Sequence, residues 1–98
     1  MNYSQYLLIK LAEEASEIAQ VALKTAQFGL DEIHPNLTET NAERIYSELN
    51  DLAAIVIMLN NDESPFDFSL DFTKMAAKQE KVSKYLQYSV DLGHVTLF

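Results

Sequence analysis

The sequence predicts an all-α fold: a helical bundle of three main helices, completed by oligomerisation. Three observations carry this expectation. Only two glycines and two prolines occur in 98 residues, too few turn-formers for many short strands. Apolar residues recur at three- and four-residue spacing over long stretches, the period of a helix buried on one face. The hydrophobic fraction, 48%, is ordinary for a globular chain and too high for wholesale disorder. At this length one domain, 1–98, is expected. Three helices in so short a chain leave part of their apolar faces uncovered, which is why a homodimer or homotetramer is anticipated.

Each element has its own signals. The first helix is expected from about Ser4 to Phe28, with Asn2 or Ser4 as its cap and Gly29 as its stop. The linker FGLDEIHPNLTET holds one glycine and one proline and leaves room for a short helical turn. The second helix begins near Thr40. Thr40 and Glu43 have capping-box spacing, so each side chain can satisfy the other's backbone donor. It runs to Asn60 and Asn61, after which NNDESPFD is a polar connector punctuated by Pro65. The third helix is predicted from roughly Ser69 to Asp91 and is closed by Gly93. The short apolar tail HVTLF is left to pack on the body or on a second subunit.

Charge and composition narrow the function. Fifteen acidic against seven basic residues give a net charge of −8, the wrong sign for a nucleic-acid binder, whose phosphate contacts demand a basic footprint. A phosphorylated small molecule remains compatible, provided that metal ions or a local lysine patch reverse the field. The absence of cysteine removes disulfides, thiolate zinc sites and thiol nucleophiles together. MNYSQYLLIK lacks the basic start and apolar run of a secretory signal. The longest apolar run, Leu52 to Leu59, is short of the ~20 residues a membrane span needs. A cytoplasmic protein without membrane partners is expected.

The motif with chemical content is a pair of acidic pairs. On the first helix Leu7, Leu11, Ile18 and Val21 form a seam with one gap, and Glu14 fills it; Glu17 lies one turn further, just off the seam. On the second helix Ile45, Leu52, Ile55 and Leu59 form a stripe whose missing position is Glu48, with Asp51 one turn beyond. Glu13 instead aligns with Tyr6, Ser16 and Gln20, a wetter face, and reads as a solvated charge. Four carboxylates set into apolar surface repel one another and are tolerable only with protonation, basic partners or bound cations. Mg2+ suits such a set: it takes oxygen ligands, keeps waters and bridges carboxylates to substrate phosphates, and Mn2+ can substitute for it. The ordinary reading of a lone ExxE is a solvated face or an ion pair; two such pairs set in apolar stripes on consecutive helices favour the metal. Carboxylate-bridged di-iron sites do not fit, because Glu17 and Asp51 stand where a Glu-x-x-His motif needs histidine. His34 in the linker and His94 in the tail read as ordinary surface histidines, and no nucleophile elbow supports a Ser-His-Asp triad.

The third helix carries Lys74, Lys78 and Lys81 at 4-3 spacing on one face, opposite an apolar stripe of Phe68, Phe72, Met75, Val82 and Leu86. The plain reading is a solvated helix face. Beside a metal site, Lys78 and Lys81, then Lys74, become candidates for binding phosphate as point charges.

Glu14-Ala-Ser-Glu17 followed by Glu48-Leu-Asn-Asp51 resembles the ExxE…ExxD signature of the MazG-like, all-α nucleoside triphosphate pyrophosphohydrolases. LAEEASEIAQVALKTAQFGLDE is similar to their metal-binding first helix and its exit, and ERIYSELNDLAAIVIML to the second. KQEKVSKYLQYSVDLG resembles the lysine-containing last helix of small phage- and cassette-borne members. The resemblance spans roughly residues 7 to 93. It departs from the family in the spacer, residues 18–47, which is long and holds Gly29 and Pro35. It implies that Glu14, Glu17, Glu48 and Asp51 hold Mg2+ and form the catalytic centre. It further implies that a nucleoside triphosphate, in the first place a deoxynucleotide, is cut between its α and β phosphates. Nucleotide-pool housekeeping and a homodimeric or higher assembly complete the expectation. The rival expectation is a non-catalytic helical interaction or regulatory module, whose carboxylates pair with Lys or Arg of a partner chain.

Overall fold

A computed structural model describes residues 1–97. Three helices follow one another: α1, Tyr3–Phe28; α2, Asn41–Asn61; and α3, Phe72–Asp91. No strand forms among the described residues, so the fold is all-α as the composition and periodicity predict. The chain divides into two compact units, Met1–Phe68 with α1 and α2, and a second that begins at Ser69 and holds α3.

In the first unit the helices start where side chains can satisfy their free backbone donors. Asn2, not Ser4, caps α1: its Oδ1 accepts from Gln5 N–H at 2.8 Å, and Gln5 Oε1 accepts from Asn2 N–H at 2.8 Å. The Ser4 hydroxyl lies within the first turn and donates to Asn2 Oδ1. Gly29 stops the helix at φ 97°, a conformation that disfavours side chains with a Cβ, and its N–H donates to Thr25 O. Thr40 and Glu43 form the expected box at the start of α2. At the other end the Asn60 side chain clamps Phe68 with two bonds, accepting from its N–H at 2.8 Å and donating to its carbonyl at 2.9 Å. The polar connector is thereby folded back onto the end of α2.

The linker contains no helical turn. It is built from an isolated antiparallel bridge, Ile33 with Thr40, and a turn in which Leu37 N–H donates to His34 O. Asn36 takes positive φ (76°) there, which asparagine tolerates better than most residues. Asn41 secures the whole segment. It is 2% exposed, and its Nδ2 donates to Gly29 O at 2.9 Å and to Glu32 Oε2 at 2.7 Å. Its backbone N–H donates to Glu32 O, and that of Ala42 to Leu30 O.

Against each other α1 and α2 bury the seams read from the sequence. Leu7 and Leu59 are 1% exposed and Val21 is buried, while Leu11, Ile18, Ile45, Leu52 and Ile55 are partly buried between them. Full burial of a leucine is worth about 1.5–3 kcal/mol, so this core is real but small. Thr25 closes one end, its hydroxyl donating to Val21 O at 2.7 Å.

In the second unit α3 begins at Phe72, three residues later than the sequence suggested. Asp71 is the cap that forms: its Oδ1 accepts from Lys74 N–H at 3.0 Å. The helix ends through Gly93 at φ 80°, with Gly93 N–H donating to Val90 O and His94 N–H to Ser89 O. The last residue of the apolar tail, Phe98, lies outside the described residues.

Candidate metal centre

The gap-filling glutamates are partly buried, as their places in the two seams require. Glu14 sits between Leu11 and Ile18 on α1, and Glu48 between Ile45 and Leu52 on α2, so packing the seams brings the two carboxyls together. Glu17, one turn beyond Glu14, joins them from the exposed edge. One carboxylate oxygen from each of Glu14, Glu17 and Glu48 lies within 4.8 Å of the others. Oε2 of Glu14 and Oε2 of Glu48 are closed off from solvent and have no hydrogen-bond partner. A buried acceptor left without a donor is costly, and two in one place call for an explanation.

Electrostatics point the same way. Burial raises the Glu14 carboxyl above its ordinary 4.5, and the negative charges of Glu17, Asp51 and Glu13 add to the effect. Glu48 is raised first by the hydrogen bond that its protonated form can give to Glu17, then by burial and by the charges of Glu17, Asp51 and Glu14. Two ionised carboxylates offer only acceptors to each other, so that hydrogen bond exists only with a proton between them. The cluster therefore attracts positive charge, whether a proton or a cation.

The donor set fits Mg2+. All three groups are hard oxygen donors, and two carry an orphaned buried oxygen.

The other residues singled out by the sequence fall in three places. Asp51 is exposed and stands outside the close group of three, although its charge acts on both Glu14 and Glu48. Glu13 is the solvated charge its face implied: it is exposed and pairs with Lys10 Nζ at 3.1 Å. Lys74, Lys78 and Lys81 are exposed on α3 and belong to the second unit. The role of Asn41 was missed at the sequence level. It reads as an unremarkable first residue of α2, and only its burial and its bonds to Gly29 and Glu32 reveal that it fastens the linker.

No family model, no curated protein and no solved structure matches this chain. No helix is long and apolar enough to cross a membrane among the described residues.

Proposed function

We propose that this protein is a Mg2+-dependent nucleoside triphosphate pyrophosphohydrolase, acting on deoxynucleotides in the first place. The observation that carries the proposal is the Glu14–Glu17–Glu48 cluster, with its two buried oxygens lacking partners. The resemblance of the two acidic motifs to the MazG-like signature supplies the reaction class. Glu14, Glu17 and Glu48 hold the cation, with Asp51 completing the set from the exposed side. Bound there, Mg2+ supplies neutralisation of phosphate charge and acidification of water. Water adds to the α phosphorus, the bond to the pyrophosphate oxygen breaks, and a carboxylate of the cluster takes the proton. Lys78, Lys81 and Lys74 on α3 stay the candidates for phosphate-binding point charges that the resemblance implies.

The working enzyme is a homodimer or homotetramer in this reading. In support, the buried apolar residues among the described residues are only Leu7, Val21 and Leu59, whereas Leu23, Tyr46, Ile57, Phe72 and Tyr85 are each more than half exposed. The same exposed apolar surface favours a second reading, a non-catalytic helical module that docks a partner chain.

Metal-dependent stabilisation separates the two. A ligand present at 100 times its Kd adds about 2.7 kcal/mol, which for a domain of this size raises Tm by roughly 10–20 °C. The enzyme should show a saturable rise with Mg2+ or Mn2+ that Glu14→Gln removes while the helical circular dichroism persists. No rise with either ion would favour the interaction module.

A further inference from the structure

The linker and the two helices it joins line an open pocket that carries charge of opposite sign to the carboxylate cluster. A pocket of about 260 Å3 is lined by Lys24 from α1, Arg44 from α2, and His34, Pro35, Asn36 and Leu37 from the linker. No carboxylate lines it, in a chain of net charge −8. Arg44 is partly buried, yet its guanidinium makes neither an ion pair nor a hydrogen bond among the described residues. Lys24 is likewise without an acidic partner. Glu39 lines only an adjoining recess of about 220 Å3, and it stays beyond ion-pair distance of Arg44.

Two like charges are brought to one pocket from different helices, and neither makes an ion pair there. The helices place the two cations, and the linker closes the pocket around them. Asn41 ties the linker to the start of α2, and Asn36 takes positive φ at the rim of the pocket. His34 Nδ1 lies 2.6 Å from Pro35 O, a carbonyl that can only accept, and this contact anchors the imidazole ring at the pocket wall. A planar guanidinium fork and an ammonium together match the charge and oxygen geometry of a tetrahedral dianion. The pocket is too small, and the chain too acidic, for a nucleic-acid backbone.

We infer that Lys24 and Arg44, with the His34 ring in the pocket wall, form a binding site for a phosphate dianion, either the free ion or the terminal phosphate of a small molecule. The site stands on its own observations and does not depend on the metal reading. By helical register Arg44 lies one turn before Glu48 and Lys24 two turns after Glu17, so the two sites adjoin along the same helix pair.

The test titrates the full-length protein with inorganic phosphate in EDTA, so that the carboxylate cluster holds no cation. NMR follows the Arg44 Nε–H and the His34 ring. Saturable shifts are expected at low-millimolar phosphate, weakening as salt rises. Lys24→Gln should lower the affinity about fivefold and Arg44→Gln about tenfold, because the second removes a charged bidentate donor. Lys24 is exposed, so its variant reads binding even if the Arg44 variant folds poorly. Glu48→Gln should bind phosphate at least as tightly as the parent. Methyl phosphate binding as well as phosphate would support the terminal group of a larger ligand; phosphate alone would support the free ion. Absence of saturable shifts up to about 20 mM phosphate, or unchanged affinity in Lys24→Gln, overturns the site.

Discussion

Replacing Asn41 by alanine removes the one side chain that ties the linker to both its neighbours. The bond to Gly29 O is between neutral groups and is worth about 0.5–1.5 kcal/mol, while the bond to the Glu32 carboxylate is worth about 1.5–3 kcal/mol. Asn41 is 2% exposed, so Gly29 O gains no ready replacement from solvent. Glu32 is only partly buried and can recover water, which favours the lower end of its range. The better helix propensity of alanine returns about 0.5 kcal/mol. The net loss is about 1.5–3.5 kcal/mol, large against the 5–15 kcal/mol that holds a typical domain. Urea unfolding followed by circular dichroism should show it as a lower midpoint with an unchanged slope. Asn41→Asp should lose at least as much, since it sets a second carboxylate against Glu32. A loss below about 0.5 kcal/mol in the alanine variant would refute the view that the spacer is a fastened structure.

Other outcomes follow from the site and the packing. Glu14→Gln and Asp51→Asn should each abolish turnover while the protein stays folded, whereas Glu13→Gln should leave activity within about twofold and remove only a solvent-screened surface pair with Lys10; steady-state kinetics on the three variants checks this. In EDTA the stability contributed by Glu14 and Glu48 should be fully present below their ordinary value of 4.5 and lost as pH rises through their raised folded values. The sign is that of carboxyls bound more tightly to protons in the folded state. Thermal melts at a series of pH values should show this loss, and saturating Mg2+ should flatten it. Sedimentation equilibrium at micromolar concentration should give at least twice the monomer mass of 11.1 kDa; a monomer there would contradict the assembly.

Much of the fold was legible because it depends on local chemistry. Thr40 with Glu43, and Gly29 after a long helical stretch, are signals whose mechanism acts within a few residues, and both ends form where they stand. The start of α3 shows the limit of this. Ser69 and Asp71 are both competent caps, and only the bond from Lys74 N–H to Asp71 decides between them. The carboxylate cluster was legible for a different reason. Glu14 and Glu48 occupy places in their seams where an apolar residue belongs, and packing two such seams leaves the carboxyls little choice but to meet. Glu17 and Asp51 each stand three residues after a seam glutamate, a step about 60° short of a full turn, and both come out exposed. Glu17 nevertheless reaches the group and Asp51 does not, a difference that their identical spacing does not encode. The linker was the least legible segment, because its bridge, its positive-φ asparagine and the bonds of Asn41 are contacts between residues seven to twelve positions apart or at turns. The cationic pocket depends on that same folding, so no motif announces it.

The central claim is that the acidic cluster serves phosphoanhydride hydrolysis, and product analysis addresses it most directly. Purified protein is incubated with each NTP and dNTP in Mg2+, and the products are separated by anion exchange. The account predicts nucleoside monophosphate and pyrophosphate in equal amounts, with a deoxynucleotide turned over fastest and no product in Glu48→Gln. Orthophosphate with nucleoside diphosphate, or no hydrolysis of any of them, would contradict it.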